Sequence, residues 1–480
     1  MAGLPAHSLM RRAGDSAARL SLALAPHAHR VWVAVGPGNN GGDGLEAAVQ
    51  LQATGRQVSV TWLGDAARLS ADAKDALARA QAAGVHIATE LPGEEIEFDF
   101  AVDALLGIGA AREPTGALLA SIKRLNRLSP RVLAVDLPSG LAGDTGCAVP
   151  GACVRAAHTL SLLTLKPGLF TAAGRDHAGM VWLDTLGCDG AFGPPDAWLQ
   201  GVSSFAPIAR AHAQHKGSFG DVAVVGGARG MRGAAWLAAR AAHAAGAGRV
   251  FVDSLDAAPD AAAAIDPLRP ELMFAAGWCE RDADVLKHST VVCGCGGGDA
   301  VRRVLPRLLS RVPRLVLDAD ALNAVAADAS LLALLCQRRE RQQATVLTPH
   351  PLEAARLLGC SAAEVQADRL HAARRLVAMT DCVVVLKGSG SVIATPGEVP
   401  RINASGNGSL ASAGTGDVLA GWLGGLWAQA GATGDAFADA FHVAARAVAE
   451  HGAAAEPERP GALRASDLIE ILYRRSRGFA

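Results

Sequence analysis

Tyrosine is almost missing from this chain: Tyr473 stands alone among 480 residues, and aromatic residues together make up only 4%. No sign of charge dominates either, with 45 Lys and Arg against 46 Asp and Glu. With no basic surplus to neutralise a phosphate backbone, no nucleic-acid partner is expected. No apolar run approaches the ~18–20 residues that a bilayer span requires, so no membrane partner is expected. Arg11 and Arg12 ahead of "SLALA" imitate a secretion signal, but Asp15, Arg19 and Pro26 interrupt it. Leu9, Met10, Ala13, Ala17 and Leu20 instead follow helical spacing. An amphipathic first helix and a cytoplasmic protein are the expectations. The nine cysteines are irregularly spaced, and the close pair Cys293 and Cys295 has no second pair at metal-site spacing. Zinc and disulfides are therefore set aside in favour of reduced thiols. No Gly-Lys dipeptide occurs, which removes a Walker phosphate loop.

What is present is half hydrophobic and rich in Ala and Gly, on a chain too long for one core. Strand-like segments at 31–35, 57–63, 98–105, 131–138 and 158–164 alternate with Ala-rich helical segments. After a Gly- and Pro-rich stretch at 186–198 the alternation resumes at 221–227, 248–255, 289–295, 314–322, 344–350 and 381–390. Apolar strands separated by helices predict parallel sheets covered on both faces. Two α/β domains follow, 1–200 and 201–480, with no shared motif and so no duplication.

In the first half, "GPGNNGGDG" (36–44) directly follows a strand and leads into a helix. A Gly-dense turn of this kind lets backbone N–H groups approach a phosphate at a helix start. Gly36, Gly38 and Gly41 fit the dinucleotide fingerprint, with Asp65 at a plausible ribose distance, but that fingerprint alone serves an empty turn equally well. Asn39, Asn40 and Asp43 add polar side chains where small residues suffice. Asp103 with the loop Gly107 to Glu113, and Asp136 with Ser139, end two further strands at the same edge. Each aspartate alone reads as a cap or turn residue; three converging strand ends border a ligand crevice. Their oxygens together suit a hard cation.

"NNGGDG" with "VDLPSG" resembles the YjeF N-terminal domain family of NAD(P)H-hydrate epimerases over about residues 8–190. The resemblance implies a Rossmann-like three-layer sandwich and potassium (K+) bound by Asn40, Asp103 and Ser139. It places the hydrated dinucleotide on Asn39, Asn40, Gly41, Gly42 and Asp43, on Gly107, Ile108, Gly109, Ala110, Ala111, Arg112 and Glu113, and on Asp136. Asp136 becomes the proton-transfer residue for inversion at the carbon bearing the added hydroxyl. Arg11 stands where an acidic residue often follows the Leu-Met pair, and only a few residues precede Leu9, so either the start is shortened or the domain packs or dimerises differently.

In the second half, "GCGGG" (294–298), "LDADALN" (317–323) and "LTPHPLE" (347–353) give three more strand-end turns. Helix capping accounts for Asp318 and Asp320, whereas Pro349 and Pro351 fix the direction of His350. The helix beginning near Gly233 and Ala234 reads as a packed core helix whose start admits a flat ligand. The sharpest signal is "NASGNGSLASAGTGDVLAGWLGGL" (403–426), where Gly414, Thr415 and Gly416 precede Asp417 at a helix start. N–H groups there stabilise a transferred phosphoryl group, and Asp417 can take a proton from a hydroxyl.

"GTGD", with "HKG.FG", "TPH" and "KG" in this order, resembles the ribokinase-like ADP- or ATP-dependent NAD(P)H-hydrate dehydratases over about residues 205–475. A ribokinase-like α/β domain is implied. Lys387, Gly388, Ser389, Gly390, Ser391 and Gly416 would bind ADP (or ATP), with Mg2+ bridging its phosphates. Ala234, Gly298, His350 and Asp417 would contact the hydrate, with Asp417 as base. The pair of resemblances implies a repair enzyme acting on hydrated NADH and NADPH, and a homo-oligomer is expected. Two rivals stand beside it. A kinase of a small alcohol with an accessory N-terminal domain would leave a stable phosphorylated product, and a binding scaffold can lose its polar pocket residues, whereas Asn40, Asp103, Asp136 and Ser139 all remain here.

Overall fold

The computed structural model describes residues 5–109, 113–128, 131–188, 192–201, 210–256, 265–431, 433–456 and 461–478. The chain divides into two compact units, Met1–Pro194 and Pro195–Ala480. No helix among the described residues is long and apolar enough to cross a membrane.

Seven strands form the sheet of the first unit: β1 (Arg30–Val35), β2 (Gln57–Trp62), β3 (His86–Ala88), β4 (Phe100–Ala104), β5 (Val132–Val135), β6 (His158–Leu162) and β7 (Met180–Asp184). All pair in parallel, in the order β3-β2-β1-β4-β5-β6-β7. Strand periodicity distributes β1 between two cores. Val31, Val33 and Val35 pack with Met10, Ala17, Leu45 and Ala76 from helices Ser8–Leu24, Asn39–Ala53 and Ala71–Ala82. Trp32 and Ala34 face the opposite way, against Ile122 and Leu125 of helix Gly116–Leu128. Helices on both faces explain why β1 is buried from Val31 to Val35 and reads as a continuous apolar run. Each large buried side chain contributes roughly 1.5–3 kcal/mol.

The second unit has ten strands: β8 (Trp198–Gln200), β9 (Asp221–Gly226), β10 (Arg249–Ser254), β11 (Met273–Phe274), β12 (Ser289–Cys293), β13 (Arg314–Leu317), β14 (Ala344–Leu347), β15 (Val383–Leu386), β16 (Val392–Ala394) and β17 (Arg401–Asn403). Their order is β11-β10-β9-β12-β13-β14-β15-β16-β17-β8. The sheet is parallel through β15, then turns antiparallel at β16 and β17, with β8 parallel to β17. Helix Thr415–Gln429 lies against helix Arg232–Ala244 at close range. A Cβ at Gly421 would overlap the carbonyl of Ala238, and one at Gly425 that of Ala242. Residues four apart share a helix face, so these glycines and alanines form one contact stripe.

In the first sheet the strand order reverses once, beside β1; in the second it reverses beside β9 and again at the far edge, where β8 joins β17. Ligands of open α/β sheets bind outside the carboxyl ends of strands at such reversals.

Candidate active sites

A cavity of about 890 Å³ opens at the carboxyl ends of β1, β4, β5 and β6. Its wall includes Gly38, Asn39, Asn40 and Asp43, then Gly107, Ile108 and Gly109, then Asp136 and Lys166. The Asn-Asn-Gly-Gly-Asp run is not a loop, as its glycines suggested, but the opening turn of helix Asn39–Ala53. Gly38 precedes it in extended conformation and no side chain caps it. Its first N–H groups thus start without a side-chain partner at the cavity rim. Gly41 and Gly42 are buried packing positions: a Cβ on Gly41 would overlap Gly36 O, and one on Gly42 would lie 2.5 Å from Met10 Sδ. They are not among the residues lining the cavity.

Beneath the rim lies a closed polar cluster. Asp103 is fully buried and accepts from Ser139 Oγ at 2.6 Å, Ser139 N at 2.8 Å and Leu105 N at 3.2 Å. Asn40 Nδ2 donates to Leu106 O at 3.1 Å. Asn40 Oδ1 is buried and has no partner among the described residues. Desolvation pushes the Asp103 carboxyl up to about 6 despite its hydrogen bonds. A buried carboxylate short of positive charge, beside an orphaned amide oxygen, is an environment that a hard cation satisfies.

Asp136 follows β5 in the left-handed region, φ 66°, uncommon outside glycine. Its carboxylate is ion-paired with Lys166, the residue that sequence reasoning missed. Lys166 is 8% exposed and also donates to Leu162 O at 2.7 Å. Burial raises the carboxyl of Asp43 well above the ordinary value, with the charges of Asp136 and Asp72 adding to it. Asn39 is exposed and accepts from Ser70 Oγ at 2.6 Å. Glu113 is exposed and not among the lining residues, and Ala110, Ala111 and Arg112 lie outside the described residues. Asp65 caps the turn Ala66–Arg68 and is not among the residues lining the cavity.

In the second unit the turns after β12, β13, β14 and β15 bring the named residues together. Ligating atoms of Cys295, Asp318 and Asp417 all lie within 4.8 Å of one another. Asp318 accepts from Lys387 Nζ at 2.6 Å and Thr348 Oγ1 at 2.7 Å. A Cβ on Gly416 would meet Lys387 Nζ at 3.4 Å, so the ammonium rests against the start of helix Thr415–Gln429. Gly414, left-handed at φ 88°, is the N-cap, and no side chain caps this helix either. Asp417 is therefore the third residue of the helix and not its cap. Burial and the charge of Asp318 raise it to about 6, although Cys295 and Lys387 pull the other way. Burial alone would lower Lys387, but Asp318 and Glu353 outweigh it and hold the ammonium above its ordinary value.

Helix capping fails for Asp318 and Asp320 as well. The N-cap of helix Asp320–Ala326 is Ala319, strained at φ 46°, while Asp320 accepts from Gly298 N at 2.8 Å. Strain between two site-facing carboxylates fits a functional location. Gly298 itself is left-handed at φ 52°. Ala234 abuts the same turn, 2.9 Å from where a Cβ on Gly296 would stand. His350 caps helix Pro351–Leu358, its Nδ1 accepting from Leu352 N at 3.1 Å, with Nε2 3.1 Å from Glu353 Oε1. Burial and Lys387 lower His350, favouring the neutral ring. Glu353, also missed, is 4% exposed and raised to about 7 by desolvation. In the loop after β15, Gly388 at φ 140° and Gly390 at φ 63° adopt glycine-only or glycine-favouring backbone, and Ser391 Oγ donates to Gly388 O at 3.1 Å. Ser389 is exposed.

Comparison with known proteins follows the same division. Residues 6–168 match the family described as YjeF-related protein N-terminus, and residues 222–474 match the family described as NAD(P)H-hydrate dehydratase. The bifunctional NAD(P)H-hydrate repair enzyme Nnr of Escherichia coli (strain K12) is 37% identical over 474 residues, covering 95% of this chain and 85% of that protein. The bifunctional NAD(P)H-hydrate repair enzyme of Leishmania braziliensis is 34% identical over 490 residues, covering 93% and 84%. A solved ADP/ATP-dependent NAD(P)H-hydrate dehydratase from Bacillus subtilis, co-crystallised with ATP and Mg2+, is 30% identical with a TM-score of 0.48, covering 58% of this chain and 96% of its own.

Proposed function

The chain belongs to the bifunctional NAD(P)H-hydrate repair enzymes, and from that premise we propose how its two sites divide the work. The first unit interconverts the R and S epimers of hydrated NADH or NADPH. The second dehydrates the S epimer to the reduced dinucleotide at the expense of ADP (or ATP).

The observation that carries the second half is the placement of Asp417 inside an uncapped, glycine-led helix start with the Lys387 ammonium against it. Hydroxide is a poor leaving group, so the ring hydroxyl must be activated first. Asp417 takes the hydroxyl proton while the oxygen bonds to the donor's terminal phosphorus and the bridging P–O bond breaks. The phosphate ester then eliminates: its C–O bond breaks, the neighbouring carbon loses a proton, and the ring double bond returns. Lys387 and the helix start offset the charge that gathers on the phosphoryl oxygens. Lys387, Gly388, Ser389, Gly390, Ser391 and Gly416 hold the nucleotide, while Ala234, Gly298 and neutral His350 hold the ring.

Asn40, Asp103 and Ser139 suit potassium, since the orphaned Asn40 oxygen and the undercompensated Asp103 both gain a partner. Bound there, potassium supplies fixed positive charge beneath the cavity floor. Among the described residues magnesium has no comparable protein cage. Cys295 is a soft ligand and Lys387 already occupies Asp318, so this cluster does not match an octahedral oxygen site. Magnesium is expected to arrive with the donor's phosphates.

The test is incubation of mixed hydrate epimers with ADP or with ATP while following reduced-nicotinamide absorbance. Full recovery of both epimers supports the assignment. A stable phosphorylated product with no recovered absorbance sinks it in favour of a kinase.

A further inference from the structure

We propose that Lys166 is a catalytic acid of the epimerisation, acting with Asp136 as one pair that opens and recloses the hydrated ring at its carbon–nitrogen bond. The inference rests on the reading of the first unit as an epimerase and names the chemistry of that site.

Lys166 and Asp136 both line the 890 Å³ cavity, and each is nearly buried. Besides Asp136, the ammonium touches Leu162 O at 2.7 Å and Ser161 Oγ at 3.3 Å. A lysine is rarely buried to this degree, and a buried ion pair is weak as a stabilising device. The flanking backbone is strained twice, at Asp136 (φ 66°) and at Leu163 (φ 65°), which also lines the cavity. A bulky residue in that conformation is strained, and such strain clusters where it serves a site. The structure therefore spends stability to hold one acid and one base side by side at the cavity wall.

Adjacency selects the bond. In the hydrate, the hydroxyl oxygen and the ring nitrogen are bonded to the same carbon. An acid and a base in mutual contact can therefore reach both atoms from one side. Asp136 removes the hydroxyl proton, the oxygen electrons form a C=O bond, and the C–N bond breaks. Its electron pair goes to the ring nitrogen, which receives a proton from the Lys166 ammonium. Rotation of the resulting aldehyde exposes its other face. On reclosure the nitrogen adds to that face and returns its proton to Lys166, while Asp136 returns a proton to the new hydroxyl oxygen. Nothing is consumed, and the carbon is inverted. A path through C–O cleavage would need water delivered to opposite ring faces, which a contiguous pair on one wall does not provide.

The test uses the full chain without nucleotide, with epimer exchange followed by chromatography above the spontaneous rate. Lys166→Met is expected to lose about 100-fold or more of that exchange, while ADP-dependent dehydration of the S epimer continues. Lys166→Ala is expected to regain exchange when methylamine is added, in proportion to the methylammonium concentration. Exchange in Lys166→Met within threefold of the parent overturns the proposal, as does a folded Lys166→Ala that methylamine leaves inert. If these variants do not fold, Lys166→Arg decides: it keeps the charge but yields its proton poorly, so parental exchange in it also overturns the proposal. A parent chain that leaves the epimers unexchanged overturns the epimerase reading itself, a result separate from any difference among variants.

Discussion

Asp417 is held against its own preference. Its carboxyl is raised to about 6 by burial and by Asp318, so ionising it in the folded chain costs free energy that the unfolded chain does not spend. The cost is absent below the unfolded value of 3.8 and complete above about 6. Asp417→Asn should therefore raise stability at pH 8 by roughly 1–2 kcal/mol after allowance for partial solvent screening, and not at pH 4. Denaturant melts at the two pH values check this. The same variant should lose dehydration and keep epimer exchange, and parental dehydration should decline as pH falls below about 6. At the other site, replacing potassium with tetramethylammonium should lower the melting temperature of the parent chain, whereas Asn40→Leu, which lacks the orphaned oxygen, should respond less. Equal shifts in both chains would remove Asn40 from the cation site. Most of these residues were legible because Asn40, Asp103, Asp136 and Asp417 gather at strand ends and helix starts of one sheet edge in each half, although each alone would read as a cap or turn residue. Lys166 was legible in principle: the chain has only six lysines, and Lys166 and Lys387 each follow a strand end. Glu353 carried a weaker mark, the acidic third residue of a capping box begun by His350.

Helices and strands were read well where periodicity had room to speak. β1, β2, β4, β5 and β6 were each anticipated to within a few residues, as were β9, β10 and β12 to β15. Strands β3, β8, β11, β16 and β17, of two or three residues, were not, because so short a run shows no alternation, and β7 was missed as well, a five-residue edge strand with no buried face. The antiparallel pairing of β15 to β17 went unread for the same reason. The helix start at Asn39 was obscured by its glycines, which serve close packing and not a loop. Packing by glycine yields a prediction of its own. Gly421→Ala would drive a methyl group into Ala238 O and separate helix Thr415–Gln429 from helix Arg232–Ala244. Such overpacking costs about 1–3 kcal/mol. Because Asp417 sits four residues before Gly421 on the same helix, dehydration should fall along with the melting temperature. Unchanged activity in a destabilised chain would show that the helix start is held independently of this contact.

Each unit closes its own core, Val31, Val33 and Val35 with Leu45 in the first and Val222, Trp422 and Phe441 in the second. The activities should accordingly separate. An Asp136→Ala chain mixed with an Asp417→Ala chain should recover the R epimer that neither converts alone at the enzymatic rate, as measured by final absorbance at limiting hydrate. Failure of the mixture would mean that the two steps require one intact chain. The two units also share a habit of construction: Gly38 and Gly414 open their helices without a side-chain cap. Whatever anion settles on those N–H groups supplies the missing partners and, by mass action, tightens the folded chain. Proteolytic lifetime should then gauge cargo: the molecule is expected to endure longest when damaged dinucleotide and its phosphate donor are plentiful, and to be cleared most readily when there is nothing left to mend.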